Sequence, residues 1–206
     1  MLSSLEFLGA SGCQTCGLPL QATEADICAR CLASPPVVAR TRAAVAYDEI
    51  PRSIALRLKY GRKVALAKTM ARFMAPLCSD VPDDALLVPV PLHPRRTWSR
   101  GFNQAALVAQ EMAKRLGMKA EPRVLRRTRA TPPLKGMSLA ARKRTVAGSF
   151  QVAVGVDLRG RTIVLVDDVL TTGSTSEACA KALHKAGAAS VNLVSWARVV
   201  RPSQLA

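Results

Sequence analysis

The stretch that most constrains this chain runs Ile163-Val164-Leu165-Val166-Asp167-Asp168-Val169-Leu170-Thr171-Thr172-Gly173-Ser174-Thr175. Its opening, from Thr162 to Val166, is a short run of apolar, β-branched residues. Such a run reads as a fully buried strand rather than a helix. Two adjacent carboxylates follow at its C-terminal end. Small hydroxyl residues around a glycine then lead into a helix predicted over Ser174–Ala186. In open α/β sheets, ligands bind at the carboxyl ends of the strands. The backbone N–H groups of such a loop, and the start of the helix behind it, suit a phosphate. The hydroxyls of Thr171, Thr172, Ser174 and Thr175 add hydrogen bonds, and Gly173 lets the backbone come close. Asp167 and Asp168 suit a different partner. Beside a phosphate cradle, paired anions are favourable only if they accept hydrogen bonds from hydroxyls or help hold a cation. A ribose diol meets the first condition and Mg²⁺ the second. The segment reads as a ribose-5-phosphate site. The competing reading, in which acids and threonines merely cap a turn and a helix, does not explain why strand, acids, loop and helix occur in this order.

Upstream, strands alternate with helices. Ala43–Tyr47 is a candidate strand. Ile54–Met74 carries apolar residues at helical spacing, divided by Gly61 into two helices. Ala85–Leu92 reads as a buried strand and Asn103–Leu116 as a helix stopped near Gly117. Arg123–Leu125 and Gly148–Val154 are short strands, and Ser190–Trp196 closes the sheet. The alternation predicts an α/β, doubly wound, mostly parallel sheet. Residues 126–146 are polar, basic and poor in apolar periodicity, and read as a long mobile loop of the kind that serves as a lid.

A small module precedes the sheet. Cys13-x-x-Cys16 is followed after 11 residues by Cys28-x-x-Cys31. Two such pairs place four thiolates around one tetrahedral Zn²⁺, with Gly17 and Pro19 making a tight turn. The alternatives are disulfides or redox pairs. The first twelve residues lack the basic start of a secretory signal, which disfavours disulfides. A redox pair needs no partner at this spacing. Four sulfur ligands leave no open position for catalysis, so the zinc is structural. Cys78 and Cys179 read as small core residues. Ser34-Pro35-Pro36 marks a boundary, giving a zinc-ribbon-like module over 1–36 and an α/β domain over 37–206. No run reaches the ~18 apolar residues of a membrane helix. The expectation is a cytoplasmic protein without membrane insertion.

The formal net charge of +16 favours polyanionic partners, and it is unevenly placed. Residues 85–150 carry 14 basic and 2 acidic residues, net +12, while the flanking segments are each +2. The densest part is Arg123 to Arg144, including Arg126, Arg127, Arg129, Lys135, Arg142 and Lys143. It is either a solvated basic surface or equipment for handling anions. Within the block lie Val88-Pro-Val-Pro-Leu92-His93-Pro94-Arg95-Arg96 and Arg100-Gly101-Phe102-Asn103-Gln104. The first is a strand-end loop beside basic residues that is either an ordinary turn or a second phosphate site. The arginine fork matches phosphate with planar, bidentate bonds.

The strand, the two acids and Thr-Thr-Gly-Ser-Thr match the phosphoribosyl pyrophosphate (PRPP) motif of type I phosphoribosyltransferases. Taken with the cysteine pairs, the Val-Pro-Val-Pro-Leu stretch and the Arg-Gly-Phe-Asn-Gln stretch, the chain resembles the ComF/ComFC family over nearly its whole length. The resemblance implies a type I phosphoribosyltransferase-like domain behind a zinc ribbon. Residues 92–96 then form the pyrophosphate loop, with Leu92, His93, Arg95 and Arg96, joined by Arg100 beyond it, on the side of the leaving group. Residues 126–146, with Thr131 and Arg142, form the flexible loop that closes over PRPP. It also implies Mg²⁺ with PRPP, and a link to DNA uptake in natural transformation through single-stranded DNA and cytosolic uptake machinery. Two polar residues usual in the family's flexible loop are apolar here: Leu134 follows Thr131-Pro-Pro, and Val146 follows the basic cluster.

Phosphoribosyl transfer breaks the bond from ribose C1 to pyrophosphate through an oxocarbenium-like transition state. The protein's part is positioning and electrostatic stabilisation. No residue reads as a nucleophile or dedicated base. His93 is either a donor to pyrophosphate or a turn-stabilising residue. The expected function is therefore PRPP-dependent transfer or handling of a phosphoribosyl group. The alternative is a non-catalytic module that binds single-stranded DNA or senses PRPP.

Overall fold

The computed structural model describes residues 5–8, 12–20, 26–61, 63–132, 134 and 136–200. Lys135 of the basic run lies outside them. The elements, in chain order, are α1 (Ala29–Ala33), β1 (Arg40–Ala46), α2 (Glu49–Tyr60), α3 (Ala65–Met74), a 3₁₀ turn (Ala75–Cys78), β2 (Leu86–Pro89), α4 (Pro94–Arg100), α5 (Gln104–Leu116), β3 (Lys119–Ala120), β4 (Leu125–Arg127), α6 (Leu139–Val146), β5 (Phe150–Val152), β6 (Thr162–Leu170), α7 (Ser174–Lys185) and β7 (Ser190–Arg198).

Five strands form a parallel sheet in the order β1-β7-β6-β2-β3. The order explains where a ligand belongs. From β6 the chain crosses through α7 to β7 on one side. From β2 it crosses through α5 to β3 on the other. The direction reverses between β2 and β6, which opens a crevice at the carboxyl ends of that pair. Those ends carry the two segments singled out in the sequence.

Each face of the sheet has its own core. On one, Leu58 of α2, Met70 and Met74 of α3, and Val108 and Met112 of α5 pack against Val164, Val166 and Trp196. On the other, Cys179 and Leu183 of α7 pack with Leu125, Val146 and Phe150 against Ile163, Leu165 and Leu193. Cys78 and Cys179 are buried in these cores, as small apolar residues. The helix ends follow local chemistry. Asn103 accepts from the Ala105 amide and caps α5, and Gly117 ends that helix in the left-handed region. Asp48 caps α2 by accepting from Ile50.

Three sequence expectations change. Residues 126–146 are not one structureless loop. β4 pairs antiparallel with β5, and α6 forms behind Ser138, whose hydroxyl accepts from the Ala141 amide. Helix α6 buries only Arg142 and Val146 and leaves Leu139 exposed, so its apolar period is too sparse to read. Residues 92–96 are not a continuous loop either. α4 begins at Pro94, a residue already suited to the first helical position. Strand β6 also runs on to Leu170, so Asp167 and Asp168 lie within its paired length rather than after it.

Candidate functional site

The loop from Thr171 to Gly173 follows β6 and opens α7, in the order the sequence predicts. Gly173 has φ +77°, a value that favours glycine, and stands as N-cap of α7. No side chain caps that helix end. The first N–H groups of the twelve-residue α7 are therefore left for an anion, with the helix dipole behind them. The hydroxyls of Thr172 and Ser174 lie 3.0 Å apart, and Ser176 donates to the Gly173 carbonyl at 2.9 Å. These bonds hold the turn open without filling it. Thr171 is exposed, while Thr175 is half-buried on the same turn.

The two acids are less alike than their adjacency implies. Side chains alternate along a strand, so Asp168 follows Val164 and Val166 onto the α2 face. Asp167 falls on the α7 face, within reach of the charge of Arg127 and near the buried, neutral thiol of Cys179. Asp167 also accepts from the Asp168 amide at 2.8 Å. Burial, and after it the charge of Asp168, raises the Asp167 carboxyl well above the usual carboxylate range. Asp168 meets a residue the sequence reading missed: Lys59, near the end of α2, whose Nζ lies 2.5 Å from Asp168 Oδ2. A lysine in the last turn of a helix is ordinary in sequence, and nothing in the local pattern marks this one.

The basic segments converge on the same crevice. Arg142 is 9% exposed and donates to the Met137 carbonyl at 3.1 Å and to the Thr171 hydroxyl at 2.8 Å. Arg96 donates to the Thr131 carbonyl at 3.2 Å, and Arg127 donates to the Thr131 hydroxyl. Thr131 thus ties β4 to α4. Arg127 is buried over the Phe150 ring at 5.3 Å. Arg129 donates to the Thr145 and Ala147 carbonyls and closes the C-terminus of α6. Arg96, Arg127, Arg129 and Arg142 are thereby knitted into a hood, while Arg123, Arg126, Lys143 and Arg144 are exposed to solvent. The hood's two apolar departures join one core, Val146 buried within it and Leu134 partly buried against it.

On α4, His93 is the N-cap, its Nδ1 accepting from the Arg95 amide at 3.3 Å. That favours its turn-stabilising reading. Arg95 is exposed and Leu92 half-buried beside the crevice. Arg100 does not point at the acids. It donates to Gln104 Oε1 at 2.6 Å and packs over the Tyr60 ring at 5.1 Å.

The cysteines form one cluster. Cys13, Cys16, Cys28 and Cys31 place their sulfurs within 4.8 Å of one another, an arrangement that could hold a metal ion. No disulfide joins them. The amides of Cys16 and Cys28 point at Cys13 Sγ at 3.5 and 3.3 Å. Burial works to raise the Cys13 thiol, but these amides outweigh it and lower its pKa. Arg198 donates to the Cys16 carbonyl and brings a buried positive charge beside the sulfurs. The cluster is docked on the sheet. The Thr41 amide donates to the Thr15 carbonyl at 2.8 Å, and a side chain at Gly17 would strike the Thr41 carbonyl. Cys16, Arg30 and Cys31 share a cavity of about 400 Å³ with Thr171, Thr172 and Gly173. Among the described residues, no helix is long and apolar enough to cross a membrane.

Comparisons with known proteins agree with this geometry. Residues 103–202 match the family model described as Phosphoribosyl transferase domain. The chain is 35% identical over 187 residues to DNA utilization protein YhgH of Salmonella typhi, covering 88% of this chain and 81% of that protein. It is 31% identical over 194 residues to competence protein F of Haemophilus influenzae, covering 90% and 84%. A shorter match, 39% identical over 93 residues, joins it to the adenine phosphoribosyltransferase of Mycobacterium avium, covering 44% and 47%.

Proposed function

This chain belongs to the family of DNA utilization protein YhgH and competence protein F, and we propose that it binds PRPP in the crevice between β2 and β6 and transfers the phosphoribosyl group to an acceptor. The observation that carries the proposal is the uncapped start of α7, with Gly173 in the left-handed region, beside the two acids at the point where the sheet reverses direction.

In this reading the amides and hydroxyls from Thr171 to Thr175 hold the 5′-phosphate. Asp167 and Asp168 accept from the ribose hydroxyls. Arg96 and Arg142 supply positive charge from either side, and Arg95, Leu92 and His93 line the approach of the diphosphate. Arg100 acts at one remove, since its guanidinium is spent on Gln104 and Tyr60. The bond from ribose C1 to the diphosphate oxygen breaks, the acceptor's nucleophilic atom bonds to C1, and pyrophosphate leaves with the bonding electrons. The acceptor's proton passes to solvent. The hood of β4, β5 and α6 excludes water from C1, where hydrolysis would compete.

Mg²⁺ fits the site. The acids offer hard oxygen donors, and Lys59 meets Asp168 at Oδ2 alone while Asp167 spends Oδ1 on an amide, so acceptor positions remain on both carboxyl groups. Asp167 and Asp168, together with oxygens of PRPP itself, would hold the ion, which supplies charge neutralisation of the leaving diphosphate. At the other site, the four cysteines hold one structural Zn²⁺ in a module over 1–36 that buttresses the domain over 37–206.

Calorimetry with PRPP and Mg²⁺ tests the proposal. Wild type should bind, and Asp167→Asn/Asp168→Asn should lose about a hundredfold in affinity or more, as two charge-assisted contacts disappear. Absence of binding by wild type, or equal binding by the double variant, overturns it.

The relatives' names connect the chain to DNA handling, and we place it in the cytoplasm with single-stranded DNA as a second client. The exposed Trp98 and Arg95 on α4 favour that reading over the hood, whose Arg127 and Arg129 are already engaged. Stacking and phosphate contacts from α4 predict single-strand binding that weakens with salt and falls in Trp98→Ala.

A further inference from the structure

We propose that Lys59 is a positioning residue of the ribose site, holding the Asp168 carboxylate in place and balancing its charge so that it can accept a ribose hydroxyl. The inference rests on the PRPP reading above and goes beyond it, because no sequence signal assigns Lys59 a part.

The geometry is specific. Helix α2 ends at Tyr60, and its last turn lies over the carboxyl end of β6. Lysines at helix ends normally extend into solvent. Here the side chain turns inward, and it is only 21% exposed while that of Asp168 is 6% exposed. Burying an ammonium is costly unless a counter-charge meets it. Burial does work against the charge of Lys59, but Asp168 outweighs it and raises the lysine pKa, with Asp167 adding in the same sense and Arg100 opposing. The second cation on this rim is unavailable to the acids, since Arg100 is bound to Gln104 and stacked on Tyr60. Across the sheet, Arg127 and Cys179 face Asp167 rather than Asp168.

The consequence is a division of labour. The Asp168 carboxylate, buried beside Asp167, repels an anionic ligand. Lys59 balances that charge. It does so at Oδ2, so that Oδ1 and the second lone pair of Oδ2 are not taken by the lysine. Acceptor capacity on Asp168 therefore remains for a hydroxyl. Asp167, by contrast, spends one oxygen on the Asp168 amide and has no ion pair among the described residues. Lys59 addresses the ribose through Asp168, not the diphosphate, which the arginines meet.

That separation is measurable by calorimetry on the full chain with three probes: PRPP, ribose 5-phosphate and Mg²⁺-pyrophosphate. Lys59→Met should weaken PRPP and ribose 5-phosphate by about tenfold to hundredfold, the range expected for loss of a charged contact. Pyrophosphate binding should change by less than about threefold. Lys59→Arg should restore most of the PRPP affinity, and Lys59→Gln, which keeps a donor without charge, should not. If Lys59→Met fails to fold, the Arg and Gln pair carries the comparison, with melting temperature as the check. Unchanged PRPP affinity in Lys59→Met, or equal loss of all three ligands, overturns the role of Lys59 while leaving the PRPP site standing. Failure of wild type to bind PRPP removes the site itself.

Discussion

Arg142 of α6 donates a hydrogen bond to the hydroxyl of Thr171 at 2.8 Å, joining the hood directly to the loop that opens α7. The two residues are 29 positions apart in sequence. Their contact turns a basic helix into one wall of the crevice. The guanidinium is buried, and a second bond to the Met137 carbonyl fixes its plane.

Arg142→Ala should therefore lower PRPP affinity by about tenfold to hundredfold, the scale of a charge-assisted hydrogen bond. Arg142→Lys should recover little of it, because a single ammonium cannot serve both Met137 and Thr171 in the same plane. Calorimetry on both variants, with melting curves alongside, checks this. Wild-type affinity in Arg142→Ala would remove the residue from the site.

The cysteine cluster predicts a structural metal with a reach beyond its own module. Purified protein should contain about one zinc per chain. Cys13→Ser should lose the metal and melt at lower temperature, since the cluster is pinned to β1 through Thr15 and Gly17. Because Cys16 and Cys31 wall the same cavity as Thr171–Gly173, the variant should also bind PRPP more weakly. Metal analysis, melting and calorimetry read out the three effects. A metal-free, fully stable sample would contradict the assignment.

The apolar residues of the hood predict an asymmetric cost. Val146 is 1% exposed, within the core that also holds Leu125 and Phe150. Val146→Asn would bury an amide with no partner, costing about 1–3 kcal/mol. A protein of this length should then melt several degrees lower. Leu134→Gln, only partly buried at the edge of that core, should cost less. Thermal unfolding of the two variants compares them directly, and equal melting temperatures for Val146→Asn and wild type would refute the packing argument.

Much of the site is legible in the sequence for a definite reason. The segment from Thr162 to Thr175 carries its structure locally: apolar β-branched residues make a buried strand, Gly173 permits the turn, and small hydroxyls open a helix. The cysteine spacing is local in the same way. Helix α6 is not legible, because only a few of its side chains are buried and its charges mask the period. Strand β3 is two residues long and is held by pairing with β2, so no pattern announces it.

The sequence by itself determines which segments can cradle a phosphate, accept from hydroxyls or ligate a metal, because those capacities depend on residue type and near neighbours. Tertiary structure alone decides which charges meet. The pleat sends Asp167 and Asp168 to opposite faces, the crossing of α2 over β6 brings Lys59 to Asp168, and the folding back of the hood brings Arg142 to Thr171. A charge pair forms where the burial of apolar faces happens to place its members, and that burial is settled by the packing of helices far apart in the chain.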